Sequence, residues 1–278
     1  MILAAGCSWT DAQFSSSDQS LKEEDRGPWP MWPEIMGKEL NLKVKNVGLS
    51  GCDNKYIFDA CIDEVWKHTK IDLCVVMWTG WDRFRYLNIQ KYPMVTYAMA
   101  NPVGEDNKTY ADQLIVDGKR TEKEVNEFFS QYFLEKDLDE FTPFYNQPND
   151  VLKRYSEDVI DTTFRYMHLL AITLENNNIP YIFVQGIPAF PLGWVSSNYS
   201  DEEVLKDMMR CVYMPYLKKN KNIIGFPFQR SFGGTTMFNV VNAAGPNYGV
   251  SELDKHPNGK GQNLMAEKLM RHYDLLYR

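Results

Sequence analysis

The amino-acid sequence predicts an α/β protein: a three-layer sandwich in which a mainly parallel sheet lies between two layers of helices. Short apolar runs at 1–5, 71–78 and 181–185 are typical of strands buried on both faces. Stretches with helical spacing of apolar residues, such as 55–69 and 151–177, separate these runs. Strands that alternate with helices favour parallel pairing through right-handed crossovers.

The first predicted strand, residues 1–5, breaks at a turn of small residues that carries Ser8. Residues 11–26 are rich in Ser, Asp, Glu and Lys and contain few large apolar side chains. We therefore expect an exposed loop at the rim of a binding site. A short helix at 32–40 and a second strand at 42–46 follow this loop.

The second predicted strand leads into a turn with two glycines, Gly48 and Gly51, and then into the helix over 55–69. The third strand, 71–78, is almost continuously apolar, as expected for a central strand covered on both faces. It ends at a turn over 79–83. Two further turns therefore lie at the ends of predicted strands.

Residues 85–150 lack a clean alternation of strands and helices and are rich in aromatic and charged side chains. We interpret them as an insertion or cap, partly helical around 122–134, within a single domain that spans residues 1–278. The helix over 151–177 and the strand at 181–185 then resume the α/β pattern. The chain is long enough for one large core with such an insertion.

The last third of the chain is predicted to contain a helix at 201–218, a short strand at 222–228 and a closing helix at 262–277. Residues 233–249, rich in Gly and Asn, are expected to form a loop. A second loop, just before the closing helix, carries an aspartate and a histidine. In parallel sheets ligands bind where the strands end, so we expect the turns after the strands to converge on one crevice.

The composition excludes several classes of function. Lys and Arg number 30 against 37 Asp and Glu, a net charge of −7, which argues against a nucleic-acid partner. No window approaches the ~18 apolar residues that a membrane span needs, and too few residues precede Cys7 for a cleaved signal segment. We therefore expect a cytoplasmic protein, and one that could be encoded by a virus. The five cysteines lack metal or disulfide spacing and no nucleotide-binding glycine motif occurs, so we expect no metal and no cofactor.

Four short blocks, in this order along the chain, resemble the marker motifs of the SGNH (GDSL-like) hydrolase superfamily. The blocks are Gly6-Cys7-Ser8-Trp9, Asn46-Val-Gly48-Leu-Ser-Gly51, Trp78-Thr-Gly-Trp-Asp82 and Asp254-Lys-His256-Pro257. The first three resemble a divergent branch with many phage-encoded members. The resemblance covers both ends of the chain but not its middle, and it implies the flavodoxin-like fold of that superfamily.

The resemblance also implies a serine esterase that works without a metal. Ser8 would be the nucleophile, His256 would take its proton, and Asp254 would fix the tautomer of the imidazole. The backbone N–H groups of Ser8 and Gly48 would bind the oxyanion. The implied substrate is a small-molecule or carbohydrate ester, and the aromatic-rich middle of the chain favours removal of O-acetyl groups from a carbohydrate.

The third block departs from the family pattern, because Trp81 stands where the family has a side-chain amide that binds the oxyanion. A substitute donor is then needed, and we rank the Asn54 amide first because it follows the glycine turn. The other candidates are the Thr79 hydroxyl and the Arg83 guanidinium, which could instead bind an anionic substrate group or form a surface ion pair. We group four residues of this turn as substrate-binding: Thr79, Trp81, Asp82 and Arg83.

Three alternatives stay open. Cys7 could be the nucleophile, although the alternation of a strand turns it away from Ser8. Asp82 could act in place of Asp254, since the last block is one residue shorter than in the family. The protein could also be a binding or virion-associated module with weak or no hydrolytic activity, an alternative that Trp81 favours.

Overall fold

The computed structural model describes residues 1–67, 70–81, 83–88, 92–98, 121, 123, 149–189 and 201–278. Within these, only the backbone is described for 83–88, 92–98, 149–156 and residue 201. The helix predicted around 122–134 and most of the insertion predicted at 85–150 lie outside the described residues. The extent of that insertion, and the single domain that contains it, therefore stay predictions.

A five-stranded parallel sheet forms the centre of the described structure. The strands, in chain order, are β1 (Ile2–Gly6), β2 (Val44–Asn46), β3 (Leu73–Trp78), β4 (Arg83–Asn88), β5 (Tyr92–Ala98), β6 (Tyr181–Gln185) and β7 (Ile223–Ile224). The sheet has the order β2-β1-β3-β6-β7 with every neighbouring pair parallel, while β4 and β5 form a separate antiparallel pair. Without that pair, the order is that of the flavodoxin-like doubly wound fold. The predicted α/β class is confirmed.

Helices cover the sheet in two groups. They are α1 (Trp32–Leu40), α2 (Asn54–Trp66), α3 (Asn149–Asn176), α4 (Asp201–Arg210), α5 (Met214–Lys219), α6 (Met237–Ala244) and α7 (Gly259–Tyr277). In one group α1 and α6 pack against α7, and in the other α2, α4 and α5 pack against α3. The predicted three-layer arrangement is therefore confirmed. Of the helices in the described ranges, none combines the length and the apolar character that a membrane crossing requires.

The three central strands, β1, β3 and β6, place the turns that follow them next to one another. Every residue of β1, β3 and β6 is buried, as their continuous apolar runs predict. In the register of the sheet, Gly6 pairs with Met77 and Trp78 pairs with Gln185. The turns after β1, β3 and β6 therefore leave the sheet side by side at its carboxyl edge.

One helix lies where the sequence predicts a loop. Residues 233–249 contain α6, whose capping box joins Thr236 and Asn239: the Thr236 side chain accepts from the Asn239 N–H, and the Asn239 side chain accepts from the Thr236 N–H. Because Asn takes the position that Glu or Gln usually holds in this motif, the Gly- and Asn-rich composition concealed the helix start.

Candidate active site

Ser8 lies on a tight turn directly after β1. The turn is closed by the N–H groups of Thr10 and Asp11, which donate to the Cys7 carbonyl at 2.8 and 3.0 Å. A Cβ atom on Gly6 would lie 2.2 Å from the Thr10 hydroxyl oxygen, so only glycine fits where the strand enters the turn. The turn thus presents Ser8, 7% exposed, at the carboxyl edge of the sheet.

The structure brings Ser8, His256 and Asp254 into one hydrogen-bonded chain, although Ser8 is near the start of the sequence and the other two are near its end. The Ser8 Oγ lies 2.8 Å from His256 Nε2, and His256 Nδ1 lies 2.5 Å from Asp254 Oδ1. The backbone N–H of His256 also donates to Asp254 Oδ1, at 3.0 Å. Hydroxyl, base and carboxylate are therefore connected in the order that nucleophilic catalysis requires.

The same geometry distinguishes Ser8 from Cys7 as the partner of the histidine. The Cys7 side chain is completely buried in the apolar core, and its sulfur lies 3.9 Å from the Ser8 Oγ. Asp254 occupies the position beside His256, while Asp82 lies outside the described residues. The geometry favours the pair Ser8 and Asp254 over both alternatives.

Three aromatic side chains lie near the imidazole of His256. The ring of Phe14 stacks on it, with 4.4 Å between centroids and 27° between planes. Trp9 lies at 6.4 Å from the imidazole, and Phe238 lies at 6.1 Å from Trp9. The His256 side chain is nevertheless 24% exposed. The imidazole therefore packs against one aromatic ring but stays open to solvent elsewhere.

The ionisation of Asp254 follows from its partners. Burial works to raise the pKa of this carboxyl, but hydrogen bonds from His256 and Ser16 and the charge interaction with His256 hold the pKa below its usual value. Asp254 is therefore ionised at neutral pH and can only accept hydrogen bonds. A neutral His256 then carries its proton on Nδ1, which leaves the lone pair of Nε2 free to accept the hydrogen of the Ser8 hydroxyl.

The loop at 11–26 differs from its prediction. Phe14, Ser16 and Asp18 are buried, so the expectation of an exposed loop is wrong at these positions. The Ser16 hydroxyl donates to Asp254 Oδ2, and the Ser251 hydroxyl donates to Asp18 Oδ2 at 2.6 Å. Sequence reasoning missed these residues because polar side chains usually indicate solvent. The signal that could have found them is the spacing of two, which places Phe14, Ser16 and Asp18 on one side of an extended segment.

The Gly48 turn packs against the Ser8 turn. A Cβ atom on Gly48 would lie 2.9 Å from the Asp11 nitrogen, so the close approach of two backbones requires a glycine here. The Gly48 N–H donates to Asn46 Oδ1 at 2.9 Å, and the Asn46 amide donates to the Thr10 carbonyl at 2.7 Å. The N–H expected to bind an oxyanion therefore already has an acceptor.

Asn54 connects the start of α2 to the end of β3. Its Oδ1 accepts from the Thr79 N–H at 2.9 Å, and its Nδ2 donates to the carbonyls of Thr79 and Gly80 at 3.2 and 3.3 Å. The amide that we ranked first as the substitute oxyanion donor therefore already has two acceptors. The Thr79 hydroxyl is buried and has no hydrogen-bond partner among the described residues.

Trp81 is a core residue, not an open binding surface. Its side chain is buried, its indole N–H donates to Gln185 Oε1 at 3.2 Å, and it packs edge-on against Phe164 with 5.1 Å between centroids. Arg83 begins β4, and only its backbone is described. Within the described ranges, no group of three or more His, Cys, Asp or Glu side chains could hold a metal ion.

Neither protein-family models nor curated proteins give a match to this chain. Three solved structures that align with it are a putative lipolytic protein of the G-D-S-L family from Desulfitobacterium hafniense DCB-2, an alpha/beta hydrolase enzyme from the metagenome of Lake Arreo, Spain, and a catalytic mutant of an acetylxylan esterase from Geobacillus stearothermophilus. The first is 11% identical with a TM-score of 0.41, and 98% of each chain is covered. The second is 12% identical with a TM-score of 0.41, covering 100% of this chain and 96% of that one. The third is 13% identical with a TM-score of 0.39, covering 98% and 92%.

Proposed function

We propose that this chain is a serine esterase of the SGNH type. The observation that carries the proposal is the hydrogen-bonded chain from the Ser8 Oγ through His256 to Asp254, with contacts of 2.8 and 2.5 Å. A serine hydroxyl is a poor nucleophile until a base accepts its proton, and His256 Nε2 is placed to do so. The order of the four marker blocks along the chain supports the same assignment.

In the proposed reaction, the Ser8 Oγ attacks the ester carbonyl while its proton passes to His256 Nε2. The Asp254 carboxylate stabilises the imidazolium that forms, and the carbonyl oxygen becomes an oxyanion. His256 then returns the proton to the leaving alcohol oxygen as the C–O bond breaks, which gives an acyl-Ser8 ester. Water, deprotonated in turn by His256, attacks this ester and releases the carboxylic acid and the free serine.

For the oxyanion we propose the backbone N–H groups of Ser8 and Gly48. No acceptor for the Ser8 N–H is found among the described residues, so this donor is available. The Gly48 N–H serves an oxyanion only by exchanging its present acceptor, Asn46 Oδ1. Of the side-chain candidates, Thr79 keeps a hydroxyl without a partner in the described structure, whereas Asn54 does not. Contacts of Asp82 and Arg83 with a substrate stay predictions.

For the substrate we propose an ester with a small acyl group, and a carbohydrate O-acetyl ester in particular. A small acyl group is supported by the limited access to the nucleophile, since Ser8 is 7% exposed. An acceptor with apolar faces is supported by the aromatic rings of Trp9, Phe14 and Phe238 near His256.

A second candidate is a binding module with the same fold and little or no hydrolytic activity. The observation that favours it is that two proposed oxyanion donors, the backbone N–H of Gly48 and the side-chain amide of Asn54, already have protein acceptors. An enzyme that lacks one oxyanion donor loses roughly 10²- to 10³-fold in turnover.

Labelling with a serine-directed fluorophosphonate separates the two candidates. We expect an adduct on Ser8 in the wild type and in Cys7→Ala, and no adduct in Ser8→Ala. Hydrolysis of p-nitrophenyl acetate should fall to background in Ser8→Ala and His256→Ala. Absence of an adduct together with equal rates in all variants contradicts the esterase and favours the binding module.

The acyl group and the acceptor are tested with a substrate series. We expect rates to fall as the acyl chain of p-nitrophenyl esters grows from acetyl to octanoyl, because Ser8 is only 7% exposed. Release of acetate from acetylated oligosaccharides should depend on Ser8 and His256. Equal rates for acetyl and octanoyl esters contradict the small acyl site.

A further inference from the structure

Two serines and two aspartates join the loop at 11–26 to the segment that carries His256. Ser16 Oγ donates to Asp254 Oδ2 and accepts from the Asp18 N–H at 3.2 Å. Ser251 Oγ donates to Asp18 Oδ2 at 2.6 Å and accepts from the Asp254 N–H at 2.9 Å. We call these four residues the serine clasp. Each serine accepts from the backbone of its own segment and donates to the carboxylate of the other segment.

The hydrogen bonds of the clasp have one direction when both carboxyl groups are ionised. A serine hydroxyl carries a single hydrogen, and a backbone N–H can only donate. Because Ser16 and Ser251 each accept from a backbone N–H, their hydrogens are free to point at the opposite carboxylates. An ionised carboxylate accepts and cannot donate, so the clasp is satisfied when Asp18 and Asp254 are both charged.

The clasp also fixes the rotation of the Asp254 carboxylate. Its Oδ1 accepts from the ring and from the backbone N–H of His256, and its Oδ2 accepts from Ser16. The two oxygens therefore have different partners on different segments. Rotation of the carboxylate would break bonds on both sides.

The loop that supplies Ser16 is itself held in shape. The Ser16 N–H donates to the Arg26 carbonyl at 2.8 Å, which closes the loop. The Arg26 guanidinium donates to the carbonyls of Gln19 and Leu21, at distances between 2.7 and 3.0 Å. Phe14, from the same loop, stacks on the imidazole of His256. A rigid loop can impose a position on the carboxylate, whereas a loose one would only follow it.

We propose that Ser16 is a positioning residue of the catalytic triad and that the serine clasp keeps Asp254 aligned with His256. This rests on the proposed esterase function and adds a residue to its machinery. Ser16 does not touch the substrate, and it acts through the Asp254 carboxylate on the imidazole. The clasp thereby makes the geometry of the triad depend on the loop at 11–26.

The variant Ser16→Ala tests the proposal directly. We expect kcat to fall roughly ten- to a hundredfold, as for other residues that orient a catalytic side chain, with KM unchanged. Ser20→Ala is the matched control: Ser20 also donates to a carboxylate of this loop, Asp18 Oδ1 at 2.5 Å, and it takes no part in the bonds that Ser16 and His256 make to Asp254. Its kcat should equal that of the wild type. Ser251→Ala should lower kcat, and Ser251→Thr, which keeps the hydroxyl, should restore it.

The pH dependence distinguishes positioning from a purely structural role. The groups that act on the Asp254 carboxyl are His256 and Ser16, and Asp18 is connected to it through the two serines. Without the Ser16 bond the Asp254 carboxylate attracts the His256 proton more strongly. The acid limb of kcat/KM should therefore move to higher pH in Ser16→Ala and stay in place in Ser20→Ala. A loss of thermal stability with unchanged kcat and an unchanged acid limb overturns the proposal.

NMR of 15N-labelled histidine at neutral pH gives a readout that needs no turnover. We expect the His256 Nδ1–H proton signal to move downfield in Ser16→Ala, because the Asp254 carboxylate then accepts this hydrogen more strongly, and not in Ser20→Ala. A shift of this signal without Ser8-dependent hydrolysis in the wild type means that the esterase function fails while the positioning stands. Ser8-dependent hydrolysis with an unshifted signal overturns the positioning alone. Should Ser16→Ala not fold, Ser16→Cys keeps the volume with a weaker donor, and the same shift in direction is required of it.

Discussion

The two edges of the sheet carry networks of hydroxyl and carboxylate groups that resemble one another in composition and differ in outcome. At the amino edge, the hydroxyls of Tyr181 and Tyr216 donate to Glu175 at 2.6 and 2.8 Å, and the Asn220 amide donates to the Tyr181 hydroxyl at 2.7 Å. The Tyr277 hydroxyl accepts from the Tyr181 N–H and donates to its carbonyl. We call these five residues the tyrosine network. It joins α3, β6, α5 and α7.

At the carboxyl edge, the serine clasp leads through Asp254 and His256 to the hydroxyl of Ser8. The difference lies in what stands at the end of each chain of bonds. In the tyrosine network the hydroxyls end on a carboxylate or on a backbone carbonyl. At the carboxyl edge the last base is an imidazole, 24% exposed, that can take a proton and return it. Within the part of the chain that the structure describes, only the network at the carboxyl edge ends in such a base, which is why we propose a reactive site at that edge and a structural role for the tyrosine network.

Substitution of Ser8 should have the largest effect on activity and almost no effect on stability. We expect Ser8→Ala to lower kcat by about 10⁶-fold, the size of effect seen when the nucleophile of a triad is removed. Its melting temperature should stay close to that of the wild type, since the hydroxyl contacts only His256 and the Cys7 sulfur. Steady-state rates and a thermal melt on the same sample check both parts. A large drop in melting temperature would show that the turn after β1 needs this hydroxyl for stability.

Asp254→Asn should come next in size. An amide at this position can donate as well as accept, so it allows the wrong tautomer of His256, and the expected loss in kcat is about 10⁴-fold. In the other orientation, with the amide oxygen towards His256, the amide nitrogen faces the Ser16 hydroxyl, which donates to this side chain in the wild type. Single-turnover acylation of the enzyme by p-nitrophenyl acetate measures the effect on the step that Asp254 serves. Acylation at the wild-type rate would remove Asp254 from the proposed mechanism.

The fold was predictable because its signals are local. The continuous apolar runs of β1, β3 and β6 predict buried strands wherever they stand in a chain, and helices between them favour parallel order. The start of α6 was missed because its cap pairs Thr236 with an Asn. Short polar caps of this kind carry little weight against a composition typical of loops.

The candidate site was predictable only in part. Ser8, His256 and Asp254 follow from the marker blocks, and the structure brings these three together. Ser16 and Ser251 were not found because their pairing depends on contacts between segments more than 230 positions apart, which no local pattern records. Asn54 was ranked first as the substitute oxyanion donor because it follows the glycine turn, and the sequence does not reveal that its amide bonds the end of β3.

At the amino edge, Tyr181→Phe should lower stability and leave the rate unchanged. The substitution removes a hydroxyl that donates to Glu175 and accepts from Asn220, and each lost hydrogen bond costs roughly 1 kcal/mol. We expect the free energy of unfolding in urea to fall by about 1–3 kcal/mol. Tyr273→Phe is the matched control, since its hydroxyl has no hydrogen-bond partner among the described residues. A fall in kcat per folded molecule would contradict the separation of the two edges.

The loss of stability at acid pH should arise from Asp254 at the carboxyl edge. The pKa of Asp254 is lower in the folded than in the unfolded chain, so its contribution to stability is present above the unfolded pKa, about 3.9. It is lost as the pH falls through the folded pKa. Urea midpoints measured from pH 7 to pH 2 should therefore fall less steeply in Asp254→Asn than in the wild type. Parallel curves would assign the acid limb to other carboxyl groups.

The loss of stability at alkaline pH should arise from Tyr181 at the amino edge, because its pKa is shifted in the opposite direction. Burial raises the pKa of the Tyr181 hydroxyl well above its usual value, helped by its bond to Glu175 and opposed by Asn220. A raised pKa contributes stability that is present below the unfolded pKa, about 10, and is lost as the pH rises beyond it. Tyr181→Phe should therefore flatten the loss of stability above pH ~10, while Asp254→Asn leaves that limb unchanged. If both substitutions altered the same limb, the two networks would be coupled through the sheet and could not be treated as independent.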